Sequence, residues 1–191
     1  MQFNPYGGEA ARLAADLVNC TTALDPSGLE PVLAAHGVVH RSLTPAQAAE
    51  VWEWSRRLAD CFGDQPLDER CEKINVLLAD AASTPRISLH DGTPHMHYSA
   101  PGSDPASHIK AVTATGLSYV VCSASPSRLG RCARGRCRLA FVDTSRNGRR
   151  TYCSVRCANN EAVARHRASG ATDGRKGAGL VARFRVHVDE T

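Results

Sequence analysis

Apolar residues recur at three- and four-residue spacing along most of the first 125 positions, a helical pattern. Over residues 8–23, "GEAARLAADLVNCTTA", Leu13, Leu17 and either Val18 or Cys20 share one helix face. "DPSG" at 25–28 reads as a turn, and "LEPVLAAHG" as a short helix closed by Gly37. The clearest start lies in "SLTPAQAAEVWEWSRRLADCFG". There Thr44 is the cap, Pro45 the first helical residue and Gln47 the third position after the cap. Val51, Trp54, Leu58 and Phe62 form the apolar stripe that follows. "LDERCEKINVLLADAAS" predicts another amphipathic helix with Cys71, Ile74, Leu77 and Leu78 inward.

The period then shortens to two. Ile87 and Leu89 alternate with Ser88 and His90, and Asp91–Gly92 supplies the turn of a hairpin. A second cap-and-proline start, Asp104–Pro105, opens a helix carrying Ile109, Val112, Leu117 and Val120. "SPS" at 125–127 reads as a hinge. Near the end, "SGATDGRKGAGL" at 169–180 has linker composition, and "LVARFRVHVDE" alternates like a strand or forms a frayed tail.

Between these segments the apolar pattern gives way to paired cysteines. In "CARGRCRLAFVDTSRNGRRTYCSVRC", Cys132 and Cys137 form one pair, and Cys153 and Cys157 form a second after fifteen intervening residues. Two short-spaced pairs can supply the four corners of a tetrahedral zinc site. "LAFV" reads as a strand, "DTSRNG" as a turn and "RRTY" as the returning strand, while Ser154 caps a final helix with Cys157 in its first turn. Iron–sulfur clusters use the same four thiolates, but the hairpin between the pairs favours one structural Zn²⁺. Some 40 residues bury too little surface to fold without such a metal. Cys20, Cys61, Cys71 and Cys122 read as small buried hydrophobes on helix faces.

The expected fold is therefore a mainly α N-terminal domain with one β-hairpin over residues 1–125. A small treble-clef-like zinc module of knuckle, hairpin and helix follows over 126–168, and then a flexible linker and tail over 169–191. With 42% hydrophobic residues, the chain can build a core of Ala, Leu and Val. No run has the ~18 uncharged apolar residues of a membrane helix, and the N-terminus lacks a signal-peptide pattern, so a cytoplasmic protein with reduced thiols is expected.

Charge separates the two parts. Residues 126–191 hold 15 Lys/Arg against 5 Asp/Glu, and residues 1–125 hold 8 against 14. From 126 to 168 there are 11 Arg and 2 acids. Guanidinium groups match phosphate oxygens and guanine edges bidentately, so double-stranded DNA is the expected partner. Arg146, Arg149 and Arg150 on the turn and returning strand are candidate phosphate contacts. Arg156, Arg165, His166 and Arg167 on the last helix are candidates for phosphates or a groove, and Asn159 could brace the zinc loop or reach adenine.

At these residues the sequence resembles the CGNR zinc-finger family, whose members pair an N-terminal ABATE domain with a C-terminal zinc module. The resemblance rests on the paired cysteines, on "FVDTSRNGRRTYCS", and on "CANN", which stands where Cys-Gly-Asn-Arg falls in the family. Ala158 and Asn160 depart from that motif, while Asn159 keeps it. "LAADLVNC" is similar to the apolar-Asp-apolar-Asn start of ABATE domains. The resemblance implies a stress-induced transcription regulator with a DNA-binding zinc module.

His90, His95 and His97 on the predicted hairpin form a possible site for a metal or a small-molecule effector. Asp60, Asp64, Asp68 and Glu69 read as a solvated junction between helices. No nucleotide-binding glycine loop, nucleophile elbow or His-Glu-x-x-His helix occurs, and no enzyme is expected. Two readings stand beside the regulator: a zinc ribbon docking on transcription machinery, and a small-molecule enzyme in the helical domain. A homodimer would suit two modules on one duplex, although no heptad pattern specifies it.

Overall fold

The structure is a computed structural model. It describes residues 5–177 except 21–24, 83–84, 90–91 and 93. Helices α1 (Pro5–Asn19), α2 (Pro26–Ala35), α3 (Pro45–Ala59) and α4 (Leu67–Ala81) come first, followed by strands β1 (Arg86–Ser88) and β2 (His95–His97). Helix α5 (Pro105–Ser123), a single 3-10 turn (Pro126–Arg128), strands β3 (Leu129–Arg131) and β4 (Ala140–Val142) and helix α6 (Val155–Gly177) complete it. Among the described residues no helix is long and apolar enough to cross a membrane.

The helices begin where local chemistry starts them. The Gln47 N–H donates to Thr44 Oγ1 at 3.2 Å and the Thr44 N–H donates to Gln47 Oε1 at 2.9 Å, closing the expected capping box. Asp104 accepts from the backbone N–H groups of Ala106 and Ser107. The same cap operates at 25–28, where a turn was expected. Asp25 accepts from the Gly28 N–H at 2.8 Å and Pro26 opens α2.

Helix α1 lies at the centre of the packing and presents two buried faces. Leu13 and Leu17 pack with Leu29, Leu33, Val51 and Ile109. Ala11, Ala14 and Ala15 pack with Trp54, Leu58, Leu77 and Leu117. Close approach to α5 requires Gly116, because a Cβ there would lie 2.6 Å from both the Ala10 Cβ and the Ala11 nitrogen. The buried Trp54 indole N–H donates to Thr113 Oγ1 at 2.9 Å, so its polar edge is satisfied inside the core.

In the first hairpin Arg86 pairs with His97, Ile87 with Met96 and Ser88 with His95. The apolar set faces solvent, with Ile87 71% exposed, while Arg86, His95 and His97 are half-buried.

In the second hairpin the expected pairing is corrected. "LAFV" does not pair with "RRTY"; β4 pairs antiparallel with β3, Leu129 opposite Val142 and Arg131 opposite Ala140. The physical reason is Asp143. Its carboxylate accepts the N–H groups of Ser145 and Arg150, both at 2.8 Å, so a side chain rather than a strand ladder closes that loop. The hairpin also enters the helical interior, where Leu129, Ala140 and Val142 share the cluster that contains Trp54 and Leu117.

The chain divides into two compact units, Met1–Cys153 and Ser154–Thr191. Packing thus continues through the boundary expected at 125/126. The expected hinge at 125–127 is instead a capped turn, with the Ser127 N–H donating to Ser125 Oγ. Helix α6 extends through Gly177, into the segment whose composition reads as linker. The strand-like 180–190 lies outside the described residues.

Candidate metal centre

The four cysteines reach one point by four hydrogen-bonded devices, one for each. Strand β3 leads directly into Cys132, whose N–H continues the ladder to the Leu139 carbonyl at 2.8 Å. The Cys137 N–H donates to the Arg134 carbonyl at 2.8 Å, tightening the knuckle, and Arg138 reverses the chain with φ of 54°. That is left-handed backbone, a conformation non-glycine residues adopt at a cost. The Ala133 N–H then bonds the Thr151 carbonyl at 2.8 Å and draws the returning segment toward Cys153. Ser154 accepts from the Cys157 N–H at 3.2 Å, placing Cys157 in the first turn of α6 as expected.

The sulfur atoms of Cys132, Cys137, Cys153 and Cys157 all lie within 4.8 Å of one another. Zn–S bonds of about 2.3 Å make the edge of a ZnS₄ tetrahedron about 3.8 Å. Cys137 Sγ and Cys153 Sγ are 3.7 Å apart. The donor set and its spacing therefore fit zinc. Residues 128–169 match the CGNR zinc finger family. The match spans all four cysteines, and the chain carries a zinc-binding module. No curated protein matches the chain.

Several side chains that brace the zinc finger were not legible in its spacing. Asp143, 1% exposed, is the first. Burial pushes its carboxyl up, but hydrogen bonds from the Ser145 side chain and from the Arg150 and Ser145 N–H groups outweigh this and hold it below the ordinary value. Arg128 donates to the carbonyls of Asp143 and Ser145 at 2.6 and 2.7 Å and pins the 145–148 turn. Arg131 donates to Ala59 O at 2.8 Å, reaching the end of α3. Arg70 on α4 is 3% exposed and donates to the carbonyls of Pro126, Leu129 and Gly63.

The two polar residues of "LAADLVNC" also have structural tasks. The Asn19 side-chain amide pairs with both backbone groups of Ala140, at 2.8 and 2.9 Å, holding β4 like an extra strand. Asp16 and Glu9 clasp the two ring nitrogens of His36 at 2.8 and 2.7 Å, joining the end of α2 to α1. The Asp16 hydrogen bond is the main cause that raises the His36 pKa; burial works against it, and Glu9 adds to the rise.

The candidate nucleic-acid residues fall into three environments. Arg146 and Arg149 are exposed around the 145–148 turn. Arg150 is exposed too, but its guanidinium folds back onto its own chain. Its guanidinium donates to the Tyr152 and Cys153 carbonyls and lies 5.4 Å from the Phe141 ring centre. On α6, Arg156, Asn159, His166 and Arg167 share one exposed face at i, i+3, i+10 and i+11, and Arg165 lies on the opposite side of the helix, also exposed. Arg134, Arg136 and Arg138 on the knuckle loop were not singled out by the sequence pattern.

Of the hairpin histidines, His90 lies outside the described residues. His95 and His97 come together, with Nε2 atoms 2.9 Å apart, one ring N–H donating to the other. His108, from the first turns of α5, joins them with its ring centre 6.0 Å from that of His97. No sequence motif linked it to the hairpin. Cys61 is fully buried and its thiol is pushed up to about 11, chiefly by burial. Cys20 and Cys71 are half-buried, and Cys122 is exposed, because it sits on the outer side of α5 rather than on its buried face. Asp60, Asp64, Asp68 and Glu69 are all exposed.

Proposed function

We propose that the chain is a DNA-binding transcription regulator. One structural zinc, closed by four thiolates with no open position, holds a treble-clef-like finger, and the helical part, ABATE-like in this reading, answers to a small ligand or partner. Its role is regulatory rather than catalytic. The observation that carries the reading is an imbalance of exposed charge. Residues 126–168 contain 11 Arg and only two acids, and one of those acids, Asp143, is buried beneath its own loop. Four thiolates with Zn²⁺ add about two negative charges, which leaves the segment strongly cationic. Such a surface repels itself unless a polyanion neutralises it.

Within this reading Arg146, Arg149, Arg134 and Arg136 contact phosphates from the hairpin side. Arg156, Asn159, His166 and Arg167 form the contacting face of α6. Arg150 acts indirectly, by holding the carbonyls beside Cys153.

Fluorescence anisotropy of the zinc-loaded chain with random duplex DNA at two salt concentrations tests the reading. Binding in the range of roughly 1–100 μM that weakens steeply with salt is expected. Arg146→Ala with Arg149→Ala should weaken binding to every sequence and reduce the salt slope by roughly 0.9 for each phosphate no longer neutralised. An absence of binding at low salt would sink the proposal and direct attention to a protein partner.

A further inference from the structure

A cleft of about 1030 Å³ opens in the first unit between α1, the segment after α2, the β1–β2 hairpin and the start of α5. Its volume is at the upper end of what small-molecule sites occupy, roughly 300–1,000 Å³. Part of the lining is apolar, formed by Ala10, Leu13, Val38 and Val112. A second, polar wall is built from Arg86, His95, His97 and His108.

Strand geometry explains the second wall. Arg86 and His97 are register partners, so their side chains stand beside one another on one face, and His95 joins them two residues along. Ser99, 5% exposed, positions His108 through a 3.0 Å hydrogen bond between its hydroxyl and Nδ1. The hairpin keeps this polar set half-buried while its apolar residues face solvent, the reverse of what burial alone favours.

One group in this wall has an unmet requirement. Arg86 Nε is buried and has no hydrogen-bond partner among the described residues. A buried N–H without an acceptor carries its full desolvation cost. Among the described lining residues the one carboxylate is Glu9, and it is already engaged by His36 and Arg12. The cleft thus offers a guanidinium N–H beside imidazoles, together with aliphatic carbons. Its described lining has no further carboxylate to answer that N–H.

We infer that this cleft binds a small organic anion, an apolar body carrying one carboxylate or phosphate group, with Arg86 holding the charged end. The inference deepens the ligand-sensing half of the proposed function and rests on it. Helix α1 supplies part of the apolar wall through Ala10 and Leu13 and grips β4 through Asn19, so an occupant touches the element that holds the zinc hairpin.

Isothermal titration of the zinc-loaded full chain, without DNA, decides the matter. The probes are decanoate, decyl phosphate and neutral decanol. At least one anion should bind with a Kd below about 1 mM. Decanol should bind at least tenfold more weakly, since it cannot form the charge-assisted hydrogen bond. The tighter of the two anions identifies the headgroup. Arg86→Gln should weaken anion binding at least tenfold, and His97→Gln severalfold, with zinc content and melting temperature retained. If Arg86→Gln fails to fold, His97→Gln carries the test. Absence of binding by both anions, equal binding of decanol, or unchanged anion affinity in the folded variants overturns the inference. Since DNA is absent, that failure would leave the DNA-binding titration to be judged separately.

Discussion

Between α1 and α5 the interior is made of small apolar side chains that meet closely enough to demand a glycine at 116. Around β3 and β4, in the same interior, the joints are of another kind. Arg70, Arg128, Arg131 and Asn19 donate to backbone carbonyls, and Asp143 accepts backbone N–H groups. The helical region is held by non-directional burial and the hairpin by directional hydrogen bonds and thiolates. A hairpin with three-residue strands has few ladder bonds of its own, and long polar side chains supply the missing partners. The comparison also corrects how the basic charge is read. Of the arginines between 126 and 168, Arg128 and Arg131 are half-buried and engaged with carbonyls, so the residue count exceeds the charge presented outward.

The largest test of this comparison is removal of the metal. Structural zinc contributes on the order of 10 kcal/mol in isolated fingers. Because Leu129, Ala140 and Val142 lie in the shared core, chelation should lower the melting temperature followed by the helical circular dichroism signal, and not only a local finger signal. About 1 kcal/mol moves the melting temperature of a chain this size by roughly 2–4 °C, so a fall of more than about 10 °C is expected. An unchanged helical melt would show that the apolar anchors hold the hairpin without zinc.

A smaller effect should follow Arg70→Met, which keeps the volume but removes a donor from three carbonyls, of which Leu129 O keeps the Gly63 N–H and Pro126 O keeps the Leu129 N–H. At about 1–3 kcal/mol for a buried group left unsatisfied, the Gly63 carbonyl sets a cost of that order, read by denaturant unfolding. Arg70→Lys should not restore it, because one ammonium cannot span the acceptors that the planar fork reaches. Full rescue by Lys would mean that charge, not geometry, ties α4 to the hairpin.

The smallest effect belongs to the helical side. His36 is clasped by Asp16 and Glu9, with Arg12 also on Glu9, and its pKa is raised in the folded state. A raised folded pKa stabilises fully below the unfolded value, about 6.5, and that stabilisation is lost as pH rises through the folded pKa. The stability gap between the natural protein and His36→Gln should therefore be widest near pH 6 and narrow above it. A gap independent of pH would assign the clasp to neutral hydrogen bonding.

Helix starts and metal ligands were legible because their signals are local. Thr44 and Asp104 satisfy N–H groups within three residues, and each cysteine pair is set by one short turn. The Asp25–Pro26 start carries the same signal but reads equally as a turn, because the four-residue "DPSG" matches both. The partner of β4 was not legible. "RRTY" is as close in sequence as "LGR", and what separates them is Asp143 taking the loop's N–H groups. His108 and Arg86 line one cleft with Ala10 and Leu13 of α1, a meeting of distant segments that no local pattern specifies.

What the sequence by itself determined is the set of helices, the four thiolates and the excess of arginine, since caps, spacing and composition act over a few residues or none. What only tertiary structure decided is which arginines face outward, which strand β4 joins and where a cleft opens. Those outcomes depend on acceptors far away in the chain, as with Asn19 and Ala140 or Arg70 and Leu129, and a side chain's partner is chosen by packing that no local pattern encodes.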